Sequence, residues 1–421
     1  MNEHGLNRPK VIMISKVTVS YARFHESGLE YLCNNGWDVE IWTVGIIASI
    51  GGCFDKECKS CTMVHFDTYL EYDRAVRENK DTSLFYFTSC SIDPYLFISI
   101  ENYKCRYFVQ GRRSETPKNK ITEPYYEPEV PNWKQKTKNW LKRVGEEKGQ
   151  YLKNKVVEYK NRQYSKTHKP VPIAEYLPEM VFTTNDLSLR AMLEDKRNDW
   201  LRSCNVIFVP SMQYDYYLEE ERKGGNVSEE FILLIASGLG FEYEGLRKVV
   251  YKEKIYSPDV NERFLRRMEK MLDLMEEHYG LPVIVAGHPR GIYNGYDFGG
   301  RKVLFGRTPE LAKKCKVCIT TITYAMTFPI IYNKRLLFYY NESLKQSVLW
   351  KTTYTAYLNE LGLKGINLDD DESLDKPWEC EEVIEADQRN KFIRNYHNVL
   401  SPGNSMFGEL LEVSIMQNGN K

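Results

Sequence analysis

The chain has 421 residues, 42% of them hydrophobic, and 58 Lys plus Arg balance 58 Asp plus Glu. That balance excludes a whole-molecule field for nucleic acid, and an aromatic content of 13% excludes a disordered chain. The length exceeds what one core supports, so two domains with a cleft between them are expected. The opening residues, MNEHGLNRPKVIMISKV, carry no signal-peptide core, and no stretch is long and apolar enough for a membrane span, so a cytoplasmic protein with reduced cysteines is expected. Cys53, Cys58, Cys61 and His65 lack the paired C-x2-C spacing of a zinc site, so no metal is expected there.

In chain order, KVIMI at 10–14 predicts a strand, ESGLEYLCNNG a helix ending on Gly36, and DVEIWTV a second strand. SLFYFTS and YKCRYFVQG continue the alternation, which predicts a mostly parallel sheet with helices on both faces. Between Pro131 and Pro170 the composition changes to twelve Lys or Arg against three Glu. Trp133, Trp140, Val144 and Tyr151 there fall on one helical face, so a basic amphipathic insertion is expected, of the kind an anionic membrane surface attracts. EMVFTTND and CNVIFVPS return to strand character. The helix predicted over Ser257–Gly280 repeats Phe264, Met268, Met271, Leu272 and Met275 on one face. LPVIVAG, RKVLFG and KVCITT then predict three strands, with a helix from Thr308, read as its N-cap, between the second and third. The expected domains are 1–195, including the insertion 131–170, then 196–385, then a helical tail over 386–421.

In a doubly wound sheet ligands bind beyond the carboxyl ends of the strands. Those ends carry His288, Pro289 and Arg290; Gly306, Arg307 and Thr308; and Thr320, Thr321, Thr323 and Tyr324, three tools for holding a phosphate. No G-x-x-x-x-G-K-[ST] loop is present and no G-x-G-x-x-G follows the first strand, which argues against an ordinary NTPase and a dinucleotide dehydrogenase.

The stretch from Tyr256 to Phe338, with its helix, its AGHPR strand end, GRK…GRTPEL and the Thr-rich turn TTITYAM, resembles the C-terminal half of bacterial capsule and surface-polysaccharide glycosyltransferases of the GT-B type. It is similar in particular to sialyltransferase-like and Kdo-transferase-like members. The resemblance implies two Rossmann-like doubly wound domains, here with the basic helical insertion. It implies a nucleotide-sugar donor, CMP-linked and sialic-acid-like or Kdo-like, with no metal and no further cofactor. It also implies a surface-polysaccharide or lipid-linked glycan acceptor, while the basic segment 131–170 is what points to the inner face of the cytoplasmic membrane. By the same resemblance His288 and Arg290 would contact the donor phosphate or ribose, with Pro289 setting the turn. Gly306 and Thr308 would lie near the base, and Thr323 with Tyr324 would stand at the family's Ser–Thr pair, where Tyr324 departs from the pattern. The acceptor would meet the N-terminal domain, where Glu26, His25 and Asp186 are the candidate bases. A GT-B-fold nucleotide-sugar epimerase and a noncatalytic partner in polysaccharide assembly remain the alternatives, because fold alone does not set function.

Overall fold

The computed structural model describes residues 8–17, 19, 21–48, 61–90, 92–111, 148–169, 172–224, 230–236, 258–288, 293, 296–321, 323–346, 350–397 and 405–419. Two compact units result, with the change of unit between Pro210 and Ser211 and a return to the first unit from Ser401.

In the first unit seven strands form one parallel sheet: β1 (Lys10–Val17), β2 (Val39–Ala48), β3 (Thr62–Phe66), β4 (Ser83–Phe87), β5 (Tyr107–Gln110), β6 (Met180–Thr183) and β7 (Val206–Phe208). Their order is β3-β2-β1-β4-β5-β6-β7. In the second unit β8 (Ile232–Ile235), β9 (Val283–Gly287), β10 (Lys302–Phe305), β11 (Val317–Thr320), β12 (Arg335–Tyr340) and β13 (Ile366–Asn367) form another, in the order β10-β9-β8-β11-β12-β13. Both are doubly wound, with the strand order reversing between β1 and β4 and between β8 and β11.

Burial explains why these strands read as continuous apolar runs. Every residue of β4, β5, β6, β8 and β11 is buried, as a parallel sheet covered on both faces requires. The pleat sends Val11 and Met13 to one core and Ile12 and Ile14 to the other. In the second unit Val317 and Ile319 join one core and Cys318 the other, so Cys318 is a packing residue whose thiol burial pushes well above its usual pKa. The expected amphipathic helix runs Pro258–Tyr279 and buries Phe264, Met268, Met271, Leu272 and Met275, each worth roughly 1.5–3 kcal/mol.

Two boundaries differ from expectation. β7 pairs with β6, so the first sheet extends past the break expected at 195/196. Residues 386–421 contain two helices in different units: Ala386–His397 in the second and Phe407–Gly419 in the first. The second of these is held by close packing. A Cβ on Gly408 would meet the Tyr31 side chain at 2.4 Å, and Phe407, Leu411 and Ile415 are buried.

Of the basic insertion, the helix Lys148–Thr167 is described, while Trp133, Trp140 and Val144 lie outside the described residues. Val157 and Tyr164 are buried and Asn161 accepts the Tyr69 N–H at 2.9 Å, so positions 157, 161 and 164 dock the helix on the first unit. Val156 and Tyr159 on the remaining surface are 54% and 64% exposed.

Candidate functional site

In the first unit the chain leaves β1 into the short helices Tyr21–Glu26 and Leu29–Asn34, joined through Gly28 at φ 75°. The corner between them is stitched to the neighbouring strands. Gln110, at the end of β5, donates its side-chain N–H to the Glu26 carbonyl at 3.1 Å, and the Tyr86 hydroxyl of β4 lies against Gln110 Oε1 and the Ser27 carbonyl. Arg23 donates to Thr88 Oγ1 at 2.7 Å, and burial lowers the affinity of its guanidinium for the proton. This scaffold fixes His25, whose Nδ1 stands 2.6 Å from Glu30 Oε2 across the corner. The His25 side chain is 18% exposed and that of Glu30 25% exposed, so both reach solvent at the sheet's reversal point.

An imidazole held by a carboxylate on one nitrogen is the arrangement a general base needs, because the partner fixes ring orientation. Glu26 is half-buried beside this pair. Asp186 stands elsewhere: it is exposed in the first turn of Asp186–Leu193, after β6. β6 is three strands from β1, about 14 Å at the usual strand spacing. The structure therefore groups His25 and Glu26 and sets Asp186 apart. Sequence reasoning missed Glu30; the signal available was a carboxylate five residues beyond a histidine, hidden by the break at Gly28.

In the second unit β9 and β10 end side by side, whereas β8 separates β9 from β11. The three strand ends thus span about 14 Å, too wide for one phosphate and suited to an extended ligand. His288 is half-buried and its backbone N–H donates to the Tyr293 hydroxyl at 2.6 Å. Pro289 and Arg290 lie outside the described residues. A Cβ on Gly287 would meet the Phe305 ring at 2.5 Å, so that ring lies over the glycine next to His288 while staying 53% exposed. Phe305 was not singled out in the sequence, where it reads as one more strand residue.

Gly306 turns the chain at φ 70° and is exposed. The N-cap of the following helix is Arg307, not Thr308, which is the first residue of Thr308–Lys314. The Arg307 guanidinium is bidentate to Glu310, at 2.7 and 2.8 Å, and together with Lys314 it holds the Glu310 carboxyl down at about 2. Arg307 is thereby committed within its own turn. At the Thr-rich turn Thr320 Oγ1 donates to the Thr321 carbonyl and Thr321 Oγ1 bonds the Tyr354 hydroxyl, both at 2.8 Å and both buried. Thr323 caps the turn Tyr324–Met326 through the Ala325 N–H, and Tyr324 is 53% exposed.

No family model matches the chain, and no curated protein matches it. Among solved structures it is similar to a variant of the wall teichoic acid polymerase TagF, with a TM-score of 0.51 and 13% identity over 99% of this chain and 90% of that one. The fold is GT-B. Similarity also extends to the calicheamicin glycosyltransferase CalG4 (TM-score 0.48, 14% identity, 97% and 99% covered) and to a UDP-GlcNAc 2-epimerase from Methanocaldococcus jannaschii (0.43, 9%, 97% and 99%). At 13% identity the likeness to TagF carries the GT-B fold and no residue's role. No described helix is long and apolar enough to cross a membrane.

Proposed function

We propose that this GT-B chain is a glycosyltransferase that moves a sugar from a nucleotide donor to an acceptor hydroxyl, with His25 as the base. The observation that carries the reading is the His25–Glu30 contact of 2.6 Å at the reversal point of the first sheet. His25 would take the acceptor proton on Nε2 as the acceptor oxygen bonds to the anomeric carbon. The bond from that carbon to the donor phosphate breaks, and the phosphate keeps the electron pair. Glu30 is a positioning residue that supports the imidazolium. His288 and Arg290 would meet the phosphate, and the exposed Phe305 ring beside Gly306 would receive the base. Thr320 and Thr321 spend their hydroxyls inside the fold, so of the Thr-rich turn Thr323 and Tyr324 remain for the donor.

The finer reading keeps a CMP-linked, sialic-acid-like or Kdo-like donor and a surface-polysaccharide or lipid-linked glycan acceptor. Peripheral contact with an anionic membrane is supported by Val156 and Tyr159, exposed among Lys155, Lys160, Arg162 and Lys166. Thermal-shift measurements against CMP, CDP, UDP and GDP test the donor: one nucleotide should raise Tm well above the others. Labelled nucleotide sugar then separates transfer from epimerisation. Nucleotide binding that survives unchanged in His288→Ala overturns the donor assignment. Loss of vesicle binding on removing residues 131–170 is expected, and binding that survives the deletion overturns the membrane assignment.

A further inference from the structure

The helical layer of the second unit holds a pocket that no step above uses. Its volume is about 600 Å³, within the range of small-ligand sites. One side is Tyr214 and Tyr217 of the helix Met212–Lys223, with ring centroids 5.2 Å apart and Tyr332 backing Tyr217 at 5.1 Å. The other side comes from Ala386–His397. Phe392 and Tyr396 anchor that helix in the core, which turns Asp387, Asn390 and Arg394, at i, i+3 and i+7, toward the pocket together with Arg389.

The two arginines distinguish this pocket. Three other arginines of the unit are matched: Arg301 with Glu276, Arg307 with Glu310, and Arg335 with Glu381. Neither the Arg389 nor the Arg394 guanidinium has an ion-pair or hydrogen-bond partner among the described residues. Asp387, on the same rim, pairs with neither. Two uncommitted guanidiniums against one carboxylate favour an anion, which planar forks bind bidentately. Tyr217, half-buried and packed on the buried Tyr214, supplies an aromatic wall, and Asn390 and Asp387 supply a donor and acceptors for hydroxyl groups.

We propose that this pocket binds an acidic sugar, with the sugar ring against Tyr217 and its carboxylate or phosphate between Arg389 and Arg394. The site shares no residue with the transfer reaction, so the two assignments fail separately. Titration of the full chain with glucuronic acid and glucose 6-phosphate, with glucose, inorganic phosphate and CMP as controls, tests it. At least one of the two acids should bind saturably, about tenfold more tightly than glucose, and weaken with added salt. Arg389→Gln with Arg394→Gln should weaken the acid about tenfold while leaving the nucleotide-induced Tm shift intact, and His288→Ala should leave acid binding unchanged. Should the double variant melt early, Arg394→Gln alone, on an exposed residue, gives the reading. The assignment is overturned by three outcomes: no saturable binding of either acid at millimolar concentration, acid binding unchanged in the arginine variants, or phosphate or CMP held at these arginines as tightly as the acids.

Discussion

His25 and His397 each hold Nδ1 against one oxygen, Glu30 Oε2 at 2.6 Å in the first unit and Ser211 Oγ at 2.7 Å in the second. Their surroundings separate them. His25 reaches solvent and faces a carboxylate, which supports the charge the ring takes when it accepts a proton. His397 is buried at 2% exposure, faces a hydroxyl that offers no countercharge, and keeps Nε2 without a partner among the described residues. Burial pushes its proton affinity down to about 3. Two bonds of nearly equal length therefore sit in opposite surroundings, and it is the partner's charge and the local polarity that separate them.

The largest test breaks the first half of that contrast. His25→Asn should lower kcat by about 10³, the scale of general-base catalysis, with a much smaller effect on Tm because the side chain is half-buried and Asn keeps a polar group facing Glu30. Glu30→Gln should lower kcat by about tenfold with KM held, as expected for a group that acts through His25. A His25→Asn enzyme turning over at the wild-type rate would return the base to Glu26, which Glu26→Gln then checks. Next in size, Phe305→Ala should raise the donor KM about tenfold without a change in Tm, the scale of one lost base–aromatic stack. A donor KM that does not move removes Phe305 from the site.

Thr321 and His25 make the same contrast across chemistries. Thr321→Val removes the buried hydrogen bond between Thr321 Oγ1 and the Tyr354 hydroxyl, so denaturant unfolding should show a loss of about 1 kcal/mol. Activity at a permissive temperature should stay at the wild-type level. A variant as stable as the wild type but slow in transfer would move Thr321 from the core to the donor.

The doubly wound alternation was legible because parallel strands buried on both faces must be apolar throughout, as β4, β8 and β11 are. The helix over Pro258–Tyr279 was legible for the same reason, since its methionine stripe is set by one-sided burial. The site was legible only in part. That His288 and Phe305 follow strands is local information, but strand order is not: β8 enters between β9 and β11, so the three ends that look consecutive in the chain spread across the sheet. The Thr-rich turn misleads because a hydroxyl's partner can be far along the chain, as Tyr354 is from Thr321. Glu30 and Gln110 were hidden likewise, one by a helix break at Gly28 and one by a pairing 84 residues away.

The smallest effect tests the second histidine. An unfolded His397 titrates near its ordinary value of 6.5, whereas the folded group holds off its proton until about pH 3. Between those values the unfolded chain binds the proton and the folded chain does not, so stability falls as pH drops, by at most about 1.4 kcal/mol per unit, and is fully present above about pH 6.5. Acidic side chains add their own slope, so the difference between two proteins is what counts. His397→Asn keeps a polar group near Ser211 and cannot titrate; it should start less stable at pH 7 and lose stability less steeply between pH 6 and 4. Parallel slopes for the two proteins would mean that His397 already accepts its proton in the folded state. The contrast with His25 would then rest on the charge of the partner alone, because burial would no longer separate the two rings.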